Sequence, residues 1–210
     1  NPTGKIFSQD TLQKLADILT AASEKYGRTI YILSDEAYKR IVFDGEHFVS
    51  PATIYPNTLM AYTYGKTLLA PGQRMGYIAL PPTMPDRDII RSAVGLTQIN
   101  TGWSFPNALL QHSIDEIEKM SIDIEHLQYK RDWMVRELTD IGYDVHSPQG
   151  TFYLFPKSPM EDDFAFVKKL AQYDVLCLPG ITVEIPGFFR ISLTANDEMI
   201  ERSFAGFKKA

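Results

Sequence analysis

The 210 residues contain a single cysteine, four scattered histidines, no excess of basic charge and no long apolar run. One cysteine, Cys177, leaves no partner for an internal disulfide, which points to a reducing, cytoplasmic compartment. The surrounding Leu176-Cys177-Leu178 reads as a buried strand, and the thiol as an inert core group rather than a nucleophile. His47, His112, His126 and His146 show no ligand spacing, so no metal site is expected. With 21 basic against 26 acidic residues the net charge is −5, which argues against a nucleic-acid or anionic-membrane partner. No apolar run nears the ~20 residues that span a bilayer, and no signal peptide is visible. The first four residues, Asn1-Pro2-Thr3-Gly4, lack an initiator Met and read as a turn, so the sequence is expected to be part of a longer polypeptide.

What is present is a hydrophobic fraction of 44% and a charged fraction of 22%, enough for a substantial core. Ser8 as N-cap, apolar residues Leu12, Leu15, Ala16, Ile18, Leu19 and Ala22 at helical period, and Gly27 as stop predict a helix ending near Tyr26. Short apolar runs at 29–33, 58–64 and 74–80 predict strands, the last closed by Pro81-Pro82. Helices are expected over 86–94, 107–119 and 122–138, with Gly142 as breaker. Beyond it, short strands at 143–145, 151–155, 175–178 and 188–193 alternate with helices at 162–172 and 197–208. The whole is an α/β chain with an open, mostly parallel sheet over residues 1–120, then a smaller α+β domain over 121–210.

In such sheets ligands sit beyond the carboxyl ends of the strands, where Asp35 and Lys66 fall. Lys66 follows an apolar run and precedes a Gly- and Pro-containing loop that reaches Arg74 eight residues later. An amine at such a place can form an imine, and a guanidinium can fork onto a phosphate. Taken singly, each candidate has an ordinary reading. Asn1 to Gly4 would be a turn, Asp35 a cap, Tyr38 a core aromatic, and Lys66 and Arg74 solvated charges. Arg190, between Phe189 and Ile191 on an apolar strand, is harder to dismiss because a charge there wants a partner.

Five segments in order carry a closer resemblance: NPTG (1–4), SDEAY (34–38), GKTLLAPGQRMGY (65–77), GTFYLF (150–155) and FFRISL (188–193). Asn1 to Asp35 is 34 residues, Asp35 to Lys66 is 31, and Lys66 to Arg190 is 124. In these motifs the chain resembles the class I/II aminotransferases, the aspartate aminotransferase-like enzymes of fold type I. The resemblance runs along almost the entire chain but covers only the C-terminal portion of the family's sequence. It implies pyridoxal 5′-phosphate (PLP) as cofactor, amino acid and 2-oxo acid substrates, and a homodimer. It further implies that Lys66 forms the Schiff base and moves the substrate proton, and that Asp35 faces the pyridine nitrogen. Asn1 and Tyr38 would meet the phenolic oxygen, Thr63 and Arg74 the phosphate, and Arg190, with Asn1 beside it, the substrate α-carboxylate. Two departures stand out: Gly65, where the family often has serine, and Gln73, where an aromatic is common.

The family's N-terminal half supplies a phosphate cradle, a stacking aromatic and cross-subunit groups, so turnover is expected of a longer protein and not of this portion alone. Three alternatives share these residues: a PLP lyase of the carbon–sulfur or aminocyclopropane-carboxylate synthase type, a PLP-sensing domain of a regulator, and an inert fragment. The absence of arginine from 100–103 leans away from a dicarboxylate donor and toward an apolar or aromatic one.

Overall fold

The computed structural model describes residues 1–210. Two compact units divide the chain. One, the lysine unit, comprises Phe7–Arg40 and His47–Ile122; the other, the arginine unit, comprises Asn1–Ile6, Ile41–Glu46 and Asp123–Ala210. Two short N-terminal segments that the motif reading assigns to 1–120 thus group with the C-terminal part. No helix is long and apolar enough to cross a membrane.

The lysine unit opens with α1 (Gln9–Tyr26), whose boundaries follow from its caps. Ser8 Oγ accepts the Thr11 N–H at 3.3 Å, and Gly27, with φ 61°, closes the helix in the left-handed conformation that a glycine tolerates. Strand β1 (Ile32–Asp35) starts three residues later than the apolar run suggests. The cause is a pair of partners outside the sheet: Ile30 N–H donates to Ser23 Oγ (3.0 Å) and its carbonyl accepts from Tyr55 OH (2.6 Å), so neither joins a strand ladder. Strand β2 (Thr58–Thr63) lies between β1, to which it is parallel, and β3 (Gly76–Ala79), to which it is antiparallel. At Gly76 a Cβ would stand 2.3 Å from the Tyr62 carbonyl, so only glycine permits this pairing.

Short helix α2 (Tyr64–Thr67) follows β2 directly, and α3 (Arg87–Asn100) runs six residues past the expected end. The helix expected over 107–119 is broken into α4 (Ala108–His112) and α5 (Ile114–Ile117) at Ser113. There the backbone leaves helical geometry (φ −98°, ψ 8°); the hydroxyl bond to the Leu109 carbonyl is of the kind Ser92 makes inside the unbroken α3 and does not by itself explain the break. Tyr62, Tyr64 and Met75 form a buried cluster against which Leu110, Ile114 and Ile117 pack.

In the arginine unit, α6 (Ile124–Ile141) is capped by Asp123, which accepts the His126 N–H at 2.9 Å, and stopped by Gly142 at φ 112°. Strands β4 (Tyr153–Leu154), β5 (Leu178–Pro179) and β6 (Phe189–Ser192) make an antiparallel sheet with β6 in the middle. Helices α7 (Asp163–Ala171) and α8 (Asp197–Lys209) complete the unit. Leu138, Leu154, Phe166, Leu170, Phe189, Leu193 and Phe207 are fully buried and form its core.

The strand expected at 143–145 does not form. Tyr143 instead points its ring at Phe166, Phe189 and Phe207 and donates its hydroxyl to the Phe207 carbonyl at 2.9 Å. The strand expected over 175–178 is reduced to Leu178–Pro179, since Val175 N–H donates back to the Leu170 carbonyl at 3.2 Å. Leu138, with no exposed surface, has no slack around it; Leu138→Ala should cost about 3–4 kcal/mol. Urea unfolding of the purified chain measures that loss.

Candidate active site

Since β1 and β2 are parallel neighbours, their carboxyl ends lie at one edge of the sheet. Asp35 is the last residue of β1, in register with Ala61, and Lys66 lies three residues beyond the end of β2, within α2. The chain leaves β1 through a turn in which Asp35 Oδ1 accepts the Ala37 N–H at 3.1 Å. That turn returns Tyr38 beside the lysine, whose Nζ stands 5.9 Å from the centre of the Tyr38 ring. Lys66 and Tyr38 are both half-buried, and Asp35 is exposed.

Two features that hold this turn were missed from the sequence. Glu36 is buried; its Oε1 accepts from Ser50 Oγ and, at 3.3 Å, from Ser34 Oγ. Lys39 Nζ lies 3.6 Å from the other oxygen of Glu36, 3.4 Å from Tyr77 OH and 4.8 Å from the Tyr62 ring centre. The Glu-x-x-Lys spacing is the one local sign of this pair.

Thr63 and Arg74 have backbone duties of their own. Thr63 caps α2: its Oγ1 accepts the Gly65 N–H at 3.2 Å and donates to the Met75 carbonyl at 3.2 Å, so its one hydroxyl proton is committed inside the turn. Thr63→Ala should therefore lower stability by about 1 kcal/mol while Thr63→Ser retains it, as thermal melts would show. Arg74 is exposed, holds φ 51° and donates from Nη1 to the Pro71 carbonyl at 3.1 Å. At Gly65 a Cβ would lie 3.1 Å from Pro71 Cα and 3.4 Å from Thr63 Oγ1, so a serine there would need Pro71 to shift by a few tenths of an ångström.

The remaining candidates, Asn1 and Arg190, meet in the arginine unit. Arg190 stands at the middle of β6, half-buried, while its neighbours Phe189 and Ile191 are buried. Its guanidinium carbon lies 4.1 Å from the centre of the Tyr153 ring, and Nη1 donates to Asn1 Oδ1 at 3.1 Å. The partner that the sequence left unnamed is thus an aromatic face and an amide oxygen, which hold the fork in place without neutralising it. Tyr153 lay within a recognised motif, but its place under the arginine depends on the β4–β6 pairing. The Asn1–Gly4 segment is also more than a turn: Gly4 has φ 67°, and a Cβ on it would fall 2.3 Å from Pro148 Cβ.

Cys177 is half-buried rather than set within a buried strand, yet burial pushes its thiol up to about 12. With thiolate scarce at pH 8, Cys177 should react with an aromatic disulfide reagent only slowly until urea unfolds the chain. The rise in thionitrobenzoate absorbance measures this directly.

A two-unit α/β chain with a lysine and a carboxylate at neighbouring strand ends has the architecture of solved aminotransferases. An amino transferase from Eubacterium rectale superposes with a TM-score of 0.94 at 36% identity, covering 100% of this chain and 52% of that one. The aspartate aminotransferase of Thermotoga maritima superposes with a TM-score of 0.81 at 24% identity, covering 100% and 53%, a likeness of fold. The sequence profile of the family "Aminotransferase class I and II" matches residues 1–205, and the chain belongs to that family. A curated relative in Methanocaldococcus jannaschii, named a probable aspartate aminotransferase, is 31% identical over 100% of this chain and 56% of its own length. The chain spans about half the length of the curated relatives it matches.

Proposed function

We propose that this chain is the lysine- and carboxylate-handling portion of a PLP-dependent aminotransferase, acting on an amino acid and a 2-oxo acid. The observation that carries the proposal is the placing of Lys66 and Asp35 at the carboxyl ends of two paired parallel strands, with the Tyr38 ring 5.9 Å from Lys66 Nζ. The donor set suits the group: an amine for an aldehyde, a carboxylate for a ring nitrogen, a phenol for a phenolic oxygen and a guanidinium for a phosphate. In this reading residues 1–120, apart from the segments Asn1–Ile6 and Ile41–Glu46 that group with the arginine unit, belong to the cofactor-binding domain and 121–210 form the smaller one, in a cytoplasmic homodimer.

When bound, PLP would supply an electrophilic carbon for the amino group and a protonated ring that draws electrons from the substrate Cα. Lys66 Nζ would hold that carbon and, once freed by the substrate amine, would serve as the base that moves the substrate Cα proton to it. Asp35 would keep a proton on the ring nitrogen, because an anion beside a cation favours both charges. Tyr38 OH would donate to the phenolic oxygen, and so would the amide nitrogen of Asn1, whose oxygen accepts from Arg190. Arg74 would pair with the phosphate. Thr63 Oγ1, which donates to the Met75 carbonyl, serves the turn that presents Lys66 and would donate to the phosphate on turning its proton outward. Arg190 pairs bidentately with the α-carboxylate.

Single-turnover assays of the full-length protein with aspartate and with phenylalanine test this. Conversion of the cofactor to its pyridoxamine form with release of the 2-oxo acid supports transfer, whereas no such conversion, with ammonia and pyruvate released from a parallel sample of cystathionine (which carries a β-thiolate leaving group), would mean a lyase. Aspartate is the donor that relatives' names suggest, and phenylalanine the one that the arginine-free stretch 100–103 favours.

A further inference from the structure

Arg131 belongs to none of the motifs, yet it is buried within α6 and uses every donor it has. Nε donates to Asp132 Oδ1 at 2.8 Å, and Nη1 donates to Asp44 Oδ2 at 2.5 Å and to the Pro148 carbonyl at 3.0 Å. Nη2 donates to Asp44 Oδ1 at 2.8 Å and stands 2.7 Å from Asp132 Oδ1. The guanidinium also lies over the Phe43 ring, 4.8 Å from its centre. Burial works against the Arg131 charge, but its hydrogen bonds to Asp44 and Asp132 outweigh that and raise its pKa. The same hydrogen bond holds the Asp44 carboxyl below its ordinary range. The pairing is therefore complete above the ordinary carboxylate range and weakens as pH falls through the depressed Asp44 value.

The guanidinium joins two strands of chain. Segment 41–46 is zipped to 148–151: Phe43 N–H donates to the Gln149 carbonyl and Thr151 N–H to the Ile41 carbonyl, both at 2.9 Å, and Val42 bridges Gly150. On its other side this turn receives the N-terminal segment. The N–H groups of Gln149 and Gly150 both donate to the Gly4 carbonyl, at 3.0 and 3.1 Å, and Pro148 occupies the space where a Gly4 Cβ would stand. Asn1 lies three residues before Gly4, and Tyr153 two residues after Thr151. These are the two groups that hold Arg190.

We propose that Arg131 is the positioning residue of the carboxylate-binding arginine, fixing the 148–151 turn from which both partners of Arg190 hang. The proposal rests on the reading of Arg190 as the carboxylate site. A lysine cannot replace Arg131, because three donors on one nitrogen do not bridge two carboxylates and a carbonyl in a plane.

The test is ¹⁵N NMR of the Arg190 Nε–Hε resonance, assigned by its loss in Arg190→Lys, together with titration of succinate as a carboxylate probe that needs no cofactor. In Arg131→Lys the resonance should move toward its position in Asn1→Ala, and succinate affinity should fall about tenfold, the size of one well-made hydrogen bond. A folded Arg131→Lys with both readings unchanged overturns the proposal. If that variant does not fold, Gly4→Ala breaks the same relay at Pro148 and should move the resonance likewise; an unmoved resonance there overturns it too. Succinate that leaves Arg190 unperturbed in the unaltered protein would refute the carboxylate reading itself. The positioning proposal would then be decided by the resonance alone.

Discussion

Lys66→Ala is expected to slow amino-group transfer by the full-length protein about 10⁴-fold, the upper end of the range for loss of a positioned general base. The upper end applies because one nitrogen is assigned both the covalent hold and the proton transfer. Lys66→Arg should fall equally far: it restores the charge beside the Tyr38 ring but supplies neither a nucleophile nor a base near neutral pH. Equal losses in the two variants separate nucleophilic from electrostatic function, and single-turnover rates are the measurement. Folding should be little affected, since the ring contact to Tyr38 is worth about 0.5–1 kcal/mol. A Lys66→Arg variant with near-normal rates would contradict the assignment.

Arg190→Ala is expected to raise KM for both the amino acid and the 2-oxo acid about 100-fold. Each charge-assisted bond to a carboxylate is worth about 1.5–3 kcal/mol, and the loss of two is offset in part by water entering the space. Arg190→Lys should recover little of this, because an ammonium neither forks nor lies flat over Tyr153 while bonding Asn1. The diagnostic control is a primary amine without a carboxylate, whose slow reaction should be indifferent to the substitution. Steady-state kinetics on the two substrate classes read the difference, and equal losses on both would remove Arg190 from carboxylate binding.

Features that depend on a few neighbouring residues were legible in the sequence. Ser8 and Gly27 bound α1 as their chemistry requires, and the apolar run before Lys66 marked the strand that carries it. Errors arose where backbone groups found partners far along the chain. Ile30 lost its ladder bonds to Ser23 and Tyr55, and Tyr143 left its expected strand for an aromatic cluster with Phe166, Phe189 and Phe207. Ser113 interrupts a helix although its hydroxyl bond to Leu109 is one that Ser92 makes inside α3 without a break, so the residue type alone did not signal the interruption.

The candidate site divides in the same way. Asp35 and Lys66 stand out as polar residues at the ends of apolar runs. The supports of Arg190 do not, because its bond to Asn1 spans 189 residues and that of Arg131 to Asp44 spans 87. Nothing about Arg131 in its own helix separates it from an ordinary solvated arginine until Asp44 and Pro148 are brought against it.

The central claim is that Lys66 Nζ is the nitrogen that holds the cofactor. Reduction of the full-length protein with borohydride in the presence of PLP, followed by peptide mass spectrometry, tests it most directly. The account predicts one stoichiometric pyridoxyl group on the peptide containing Lys66 and none in Lys66→Ala. Label on another lysine, or label spread over several at equal yield, would contradict it.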